Sequence, residues 1–398
     1  MTGPAVTGPF ALGAALAERE QANLLRRRIA TQGSVAGRLQ VAGRDYLNFS
    51  ANDYLGLADH PAIKAAFNAG IERYGTGSGA SPLVTGYSSA HQQLEETLAE
   101  WLGVEAVLLF NCGFSANQAV LKALLGKEHQ LWQDKLNHAS LQEMGSQLPC
   151  KMKRFGHNDM AALERQLEPN RGLIVSEGVF SMDGDQAPWH ELATLAARSG
   201  NWLMIDDAHG LGVLGPEGRG TLAAQGVNPA SVHIQMGTFG KALGVAGAFV
   251  GGSRELVEYL VNFARHYVYS THMPAAQACA VSKSIELVQA ADDARAHLGQ
   301  LIARFRQGAD ALGWTLGASE TPIQPLLVGE SSAALQLAER LRDRGVWVSA
   351  IRPPTVPVGT ARLRITLSAA HREQDVDRLL DALGPCSGSA TSEGAHHG

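Results

Sequence analysis

The chain has 398 residues, of which 45% are hydrophobic and 18% charged, and its formal net charge is −5. That length suggests two or three domains, and that balance belongs to a globular enzyme and not to a disordered chain. No basic block or stripe occurs, which argues against a nucleic-acid partner, and no run of ~20 apolar residues occurs, which argues against a membrane span.

The four cysteines, Cys112, Cys150, Cys279 and Cys386, are far apart and form no C-x-x-C pair. Neither a zinc ribbon nor a disulfide framework is expected, and reduced thiols suit a cytoplasmic protein. The N-terminus lacks a basic stretch followed by a long apolar core, so no signal peptide is expected. The 44 glycines cluster at 75–79, 210–220 and 237–252, which points to tight turns and close backbone approach to a ligand.

In chain order, "EREQANLLRRRI" predicts a helix with an apolar stripe and a basic end. "HPAIKAAFNAGIERYG" predicts a second, with Pro61 near its start. "SSAHQQLEETLAEWL" predicts a third, capped by serine. A rhythm of short apolar runs and amphipathic stretches follows. "AVLLF" (106–110), "GLIVSE" (172–177), "WLMIDDAHG" (202–210), "VHIQMGTFGK" (232–241) and "AGAFVGG" (246–252) are strand candidates. Strands alternating with helices predict a mostly parallel, helix-covered sheet whose ligands gather at the carboxyl ends of the strands. Residues 274–312 read as one long helical stretch. "IQPLLVG", "VWVSAI" and "RLRITLS" then read as strands of a smaller α+β domain. The expected organisation is an N-terminal helix and extension over 1–50, a large α/β domain over 51–275, a C-terminal α+β domain over 276–385 and a disordered tail over 386–398. His396 and His397 belong to that tail and are not expected to bind metal.

Several residues could carry chemistry. Lys241 sits among Gly237, Gly240 and Gly244. A P-loop would need glycine where Gln235 stands and Ser or Thr where Ala242 stands. What remains is a buried structural ion or a reactive amine, since desolvation frees a lysine to form a Schiff base. Asp206 ends a buried strand, where an ionised carboxylate needs a cation. Alternation puts Asp207 on the opposite face and His209 on the side of Asp206, if the backbone stays extended. A helix cap with a hydrogen-bonded histidine would explain the same residues. A metal site lacks a third convergent ligand. "FNCGFSANQAV" predicts a strand ending at Phe110 and a helix starting near Ser115. Gly113 allows close approach, and the N–H groups at the helix start would form an anion site. His138 lies in a loop, and Glu177 and Ser181 follow a strand. Taken together, an anion seat, a ring-stacking histidine, an acid for a pyridine nitrogen and an amine for an aldehyde describe a pyridoxal phosphate pocket.

These residues lie in "LNFSANDYLGL", "GSGASPLVTGYSSAHQQLE", "SEGVFSMDGD", "DDAHGLGVLG", "TFGKALG" and "IRPPTVPVGTARLRITLS". From about residue 20 to 384 the chain resembles the α-oxoamine synthases, a branch of the fold-type I pyridoxal phosphate enzymes. The resemblance implies the fold of that class. It implies Lys241 as the lysine that carries the cofactor, Asp206 as the partner of the pyridine nitrogen, His209 as the partner of the ring oxygen and His138 as the stacked imidazole. It places Gly113, Phe114, Ser181 and Thr238 on the cofactor and Glu177 beside the ring. Ser270 and Thr271 would reach the phosphate of a neighbouring subunit, which makes a homodimer. Arg26, within Arg26-Arg27-Arg28, and Asn52, His138, Thr355 and Arg364 would meet the substrates. The reaction implied is decarboxylative condensation of L-alanine with a pimeloyl thioester, on coenzyme A or a carrier protein. The alternatives are a sister synthase using glycine or serine with another acyl-CoA, a metal-dependent hydrolase built on Asp206, Asp207 and His209, and a non-catalytic dimer of the same fold.

Overall fold

The computed structural model describes residue 10 and residues 12–22, 24–35 and 37–386. The expected tail beyond 386, with His396 and His397, lies outside the described residues.

β1 (Ser34–Val35), β2 (Arg38–Val41) and β3 (Arg44–Asn48) pair antiparallel in sequence order. The central sheet holds β4 (Ala106–Phe110), β5 (Gln130–Asp134), β6 (Lys151–Phe155), β7 (Gly172–Glu177), β8 (Trp202–Asp206), β9 (Ile234–Thr238) and β10 (Ala248–Gly252). Their spatial order is β4-β10-β9-β8-β7-β5-β6, and β10 runs antiparallel to both of its neighbours while the other pairs are parallel. β4 therefore points the same way as β5 to β9. Strands buried on both faces need apolar residues at every position, and Val107–Phe110 and Leu203–Ile205 supply them. Residues Leu108, Val120, Leu141 and Val250 pack on one face of the sheet, and Ile174, Trp189, Leu192 and Leu203 fill a cluster on another. Because the parallel strands share a direction, Phe110, Asp134, Glu177, Asp206 and Thr238 all end at one edge.

β11 (Ile323–Gly329), β12 (Val346–Trp347), β13 (Ser349–Ile351) and β14 (Ala361–Thr366) complete the strands. β11, β14 and β13 make a three-stranded antiparallel sheet.

The expected elements need several corrections. The strand read over 232–241 spans only Ile234–Thr238. Phe239 N–H there donates to Gly247 O at 2.9 Å and turns the chain back. "VWVSAI" is two strands in different sheets: β12 pairs parallel with β3, whereas β13 joins β14. The stretch 274–312 is two helices, Ala275–Gln289 and Asp292–Ala311. The pair Asp292 and Asp293 starts the second, where the helix dipole favours negative charge. The first helix spans Leu12–Gln21 and buries nothing. Leu24 and Leu25 N–H both fold back onto Arg19 O, so Arg26 to Arg28 lie beyond the helix.

Candidate active site

Five connections leaving the shared strand edge enclose a cavity of about 170 Å³. After β4, the helix Gly113–Leu124 begins two residues earlier than expected, with Cys112 in extended geometry at its cap. Gly113 and Phe114 line the cavity in the helix's first turn, where unpaired N–H groups favour an anion. A side chain at Gly113 would meet nothing closer than 3.7 Å within the chain. The fold itself does not demand glycine there, which leaves close approach of a ligand as the reason for it.

Asp206, at the end of β8, faces the cavity and is buried. Its Oδ2 accepts the amide of Asn117 at 2.8 Å, and its Oδ1 accepts Ala208 N–H at 3.1 Å. Asn117 also donates to Ser140 Oγ at 2.9 Å, which fixes its own orientation. Asp207 points the other way. Its Oδ2 accepts Thr221 N–H at 2.7 Å and its Oδ1 accepts Thr221 Oγ1–H at 2.6 Å. The strand does not continue to His209 as expected. A turn beginning after Asp206 brings His209 into the cavity. The trio Asp206, Asp207 and His209 does not converge, and among the described residues no group of three His, Cys, Asp or Glu is placed to hold a metal.

His138 caps the helix Ala139–Gln147 after β5, and its Nδ1 accepts Ser140 N–H at 3.3 Å. Its ring meets the Phe114 ring edge-on, with centroids 6.3 Å apart. Burial lowers its pKa, against the pull of Asp206. Glu177, at the end of β7, is buried with Oε1 unpartnered. Burial, reinforced by the Asp206 charge, raises its pKa well above the ordinary value. Thr238 ends β9 and donates to Gly247 O at 2.8 Å. Lys241 follows in the turn between β9 and β10 and lines the cavity. Burial pushes its amine down to about 8, although Asp206 and Glu177 pull the other way. This is the electrostatic setting of a reactive amine, the second of the two readings open for Lys241.

A second group adjoins the cavity. Arg364 on β14 donates through Nε to Ser181 O at 2.6 Å, and through Nη1 and Nη2 to Asn52 Oδ1 at 3.2 and 3.3 Å. Tyr54 O–H lies 3.2 Å from Asn52 Oδ1 and 2.7 Å from His209 Nδ1. Asn52, Ser181, Arg364 and His209 are thus one network. Arg26 and Thr355 instead line a separate cavity of about 520 Å³, together with Arg19, Arg27 and Arg352. Arg27 pairs with Glu20 at 2.7 Å. Arg28 is absent from that lining. Ser270 and Thr271 lie elsewhere again, beside Asn111, whose amide donates to Thr271 O at 2.8 Å.

Residues 44–383 match the family model "Aminotransferase class I and II". The chain is 89% identical over its full length to 8-amino-7-oxononanoate synthase of Aeromonas salmonicida, and covers all of that protein. It is 86% identical to the protein of that name from Aeromonas hydrophila, again over the whole of both chains. The chain belongs to the 8-amino-7-oxononanoate synthase family, within the class I and II aminotransferases. Among solved structures it is similar to Sphingomonas wittichii serine palmitoyltransferase, with 29% identity, a TM-score of 0.89 and coverage of 96% of this chain and 97% of that one. It is also similar to SPT with PLP internal aldimine, with 27% identity, a TM-score of 0.87 and coverage of 94% and 95%.

The 8-amino-7-oxononanoate synthase family site, as this chain builds it, fits pyridoxal phosphate on its own geometry. The helix N-terminus at Gly113 suits the phosphate, the buried Asp206 carboxylate suits a protonated ring nitrogen, and the Lys241 amine suits the aldehyde. The unpartnered buried atoms Glu177 Oε1 and Asn117 Oδ1 belong to residues that line the same cavity. Sequence reasoning missed Asn117, Ala208, Met236 and Tyr54. Asn117 had a signal, being one helical turn after Gly113 on the same face. Tyr54 had none, because its contact with His209 spans 155 positions.

Proposed function

We propose that this protein condenses L-alanine with a pimeloyl thioester to give 8-amino-7-oxononanoate, CO₂ and a free thiol, a step of biotin biosynthesis, with pyridoxal phosphate as cofactor. One observation carries the reading: a buried amine at position 241, its pKa brought down to about 8, shares a cavity with Asp206 and a helix N-terminus.

The bound cofactor supplies the electron sink that makes the alanine Cα–H acidic and takes up the charge left when CO₂ departs. The residues of this chain do the rest. The first turn of Gly113–Leu124 seats the phosphate. Asp206, steadied by Asn117 and Ala208 N–H, holds a proton on the ring nitrogen. His138, which lines the same cavity, would contact the bound cofactor. Lys241 Nζ takes the Cα proton and returns a proton after CO₂ is lost, a role worth about 10²–10⁴ in rate. Arg364, held by Ser181 O and Asn52 Oδ1, would supply the positive charge that orients the alanine carboxylate. Alanine Cα then attacks the thioester carbonyl, a C–C bond forms and the carrier thiol leaves with its electron pair. Arg26 and Thr355 meet the acyl substrate, and Ser270 and Thr271 complete the phosphate site of a second copy of the chain.

Thiol release should depend on L-alanine with pimeloyl-CoA, and should be far slower for glycine with acetyl-CoA or serine with palmitoyl-CoA. Faster turnover of either of those pairs would replace this reading with a sister synthase.

A further inference from the structure

We propose that Tyr54 is a positioning residue that sets the tautomer of His209, holding its proton on Nε2, the ring nitrogen opposite the Tyr54 contact. The inference rests on the reading above for what the imidazole serves, but not for the tautomer itself. Tyr54 is fully buried, and its hydroxyl has one proton and two acceptors within reach. Asn52 Oδ1 lies at 3.2 Å, but it already accepts from Arg364 Nη1 and Nη2 at 3.2 and 3.3 Å. His209 Nδ1 lies at 2.7 Å. The phenol therefore donates to Nδ1, the shorter and less committed acceptor.

The chemistry leaves few options for the imidazole. Burial, with Lys241, Arg364 and His138 as further like charges, lowers its pKa well below the ordinary value, so the ring is neutral. Burial also raises the pKa of the Tyr54 phenol, which keeps its proton. A neutral imidazole that accepts at Nδ1 must carry its proton on Nε2. The chain thus presents a fixed N–H donor at His209, the form that can stabilise a negatively charged ring oxygen on a bound cofactor. The other tautomer would turn a lone pair toward that oxygen.

The test uses the full-length protein labelled with ¹⁵N-histidine, first free of cofactor and then loaded with pyridoxal phosphate. Long-range ¹H–¹⁵N spectra report which ring nitrogen is protonated, and the His209→Asn spectrum assigns the signal. The expected result is an Nε2-protonated His209 in the wild-type protein in both states. Tyr54→Phe, which keeps the ring in place, should give a mixed or Nδ1-protonated tautomer. It should also lower kcat by roughly 5–10-fold, the worth of one hydrogen bond, with KM for L-alanine changed less than about twofold. A wild-type His209 protonated on Nδ1 overturns the proposal, as does a Tyr54→Phe protein with unchanged tautomer and kcat. Should Tyr54→Phe fail to fold, the wild-type spectrum decides alone. Because the cofactor-free spectrum involves no substrate, this result stands apart from whether pimeloyl thioester is the acyl donor.

Discussion

Lys241 and Asp206 set opposite requirements on the same few ångströms. The amine must shed its proton to react with an aldehyde, and the carboxylate must keep its charge to hold a proton on a ring nitrogen. Burial serves the first, lowering the amine to about 8. Hydrogen bonds from Asn117 and Ala208 serve the second by fixing the orientation of the carboxylate. The neutral amine is the reactive form and dominates above its pKa. The rate at which cofactor-free protein captures pyridoxal phosphate should therefore rise with pH through about 8, and Lys241→Ala should develop no visible band. A midpoint near the ordinary lysine value, read by stopped-flow absorbance, would remove the argument for a desolvated nucleophile. Asn117→Ala leaves Asp206 Oδ2 without its side-chain donor. Losing a hydrogen bond to a charged group corresponds to about 10–100-fold in kcat/KM for L-alanine, and unchanged kinetics would show that Ala208 N–H suffices to orient the carboxylate.

The turns between strands carry this site, and their glycines show how. Gly244, in the turn that bears Lys241, has φ 67, and a side chain there would lie 2.5 Å from Ala58 N. Gly244→Ala should cost ~1–3 kcal/mol of stability by denaturant titration, and a neutral result would mean that the 57–58 backbone yields easily. Behind Asp206, three segments close on the Asp207 carboxylate. Side chains at Gly178, Gly210 and Gly220 would lie 2.0, 2.2 and 2.0 Å from its oxygens. Burial raises its pKa to about 7, against the bonds from Thr221. Between its ordinary value and about 7, the folded protein holds a proton that the unfolded chain has lost. The stabilisation from that proton is complete below about pH 4 and disappears as pH rises through 7, by up to ~4 kcal/mol. Asp207→Asn is neutral throughout, so its melting temperature relative to wild type should climb from pH 5 to pH 8.5. A constant difference would show that Asp207 stays ionised.

The strands of the central sheet were legible because parallel strands buried on both faces leave continuous apolar runs, and "AVLLF" and "GLIVSE" match β4 and β7 residue for residue. "VWVSAI" was not legible as two strands, since alternation says nothing about which sheet receives each half. Local company of glycine and apolar residues singled out Lys241, Asp206, His209 and Gly113 as candidates, and the structure brings all four to one cavity. Tyr54 reaches His209 across 155 positions, which only tertiary packing decides, and Arg364, which only the resemblance named, meets Asn52 across 312.

At the scale of the whole molecule, one surface region groups exposed apolar side chains. Val84 is 73% exposed and Tyr269 is 71% exposed, and Leu83 is half exposed beside Val84. The turn Pro82–Gly86 packs against Arg265–Val268, and His272 N–H donates to Ala80 O at 3.0 Å, so these side chains share one region. Exposed apolar side chains grouped in this way mark an interaction surface. The same region carries Ser270 and Thr271, which lie outside their own chain's cofactor cavity. In a two-fold dimer through this patch each copy would offer the other the same face, so Ser270 and Thr271 would lie at the interface. Light scattering should then give twice the 42.2 kDa chain mass, and Val84→Asp with Tyr269→Asp should shift it toward the monomer. The decisive experiment mixes two inactive proteins. One carries Lys241→Ala, and the other carries Ser270→Ala with Thr271→Val. If the phosphate contacts cross the interface, each heterodimer pairs one doubly defective site with one site that has every group intact. Random re-association should then restore roughly a quarter of wild-type activity. If Ser270 and Thr271 act within their own chain, no intact site can form, and the mixture stays at the average of its parents.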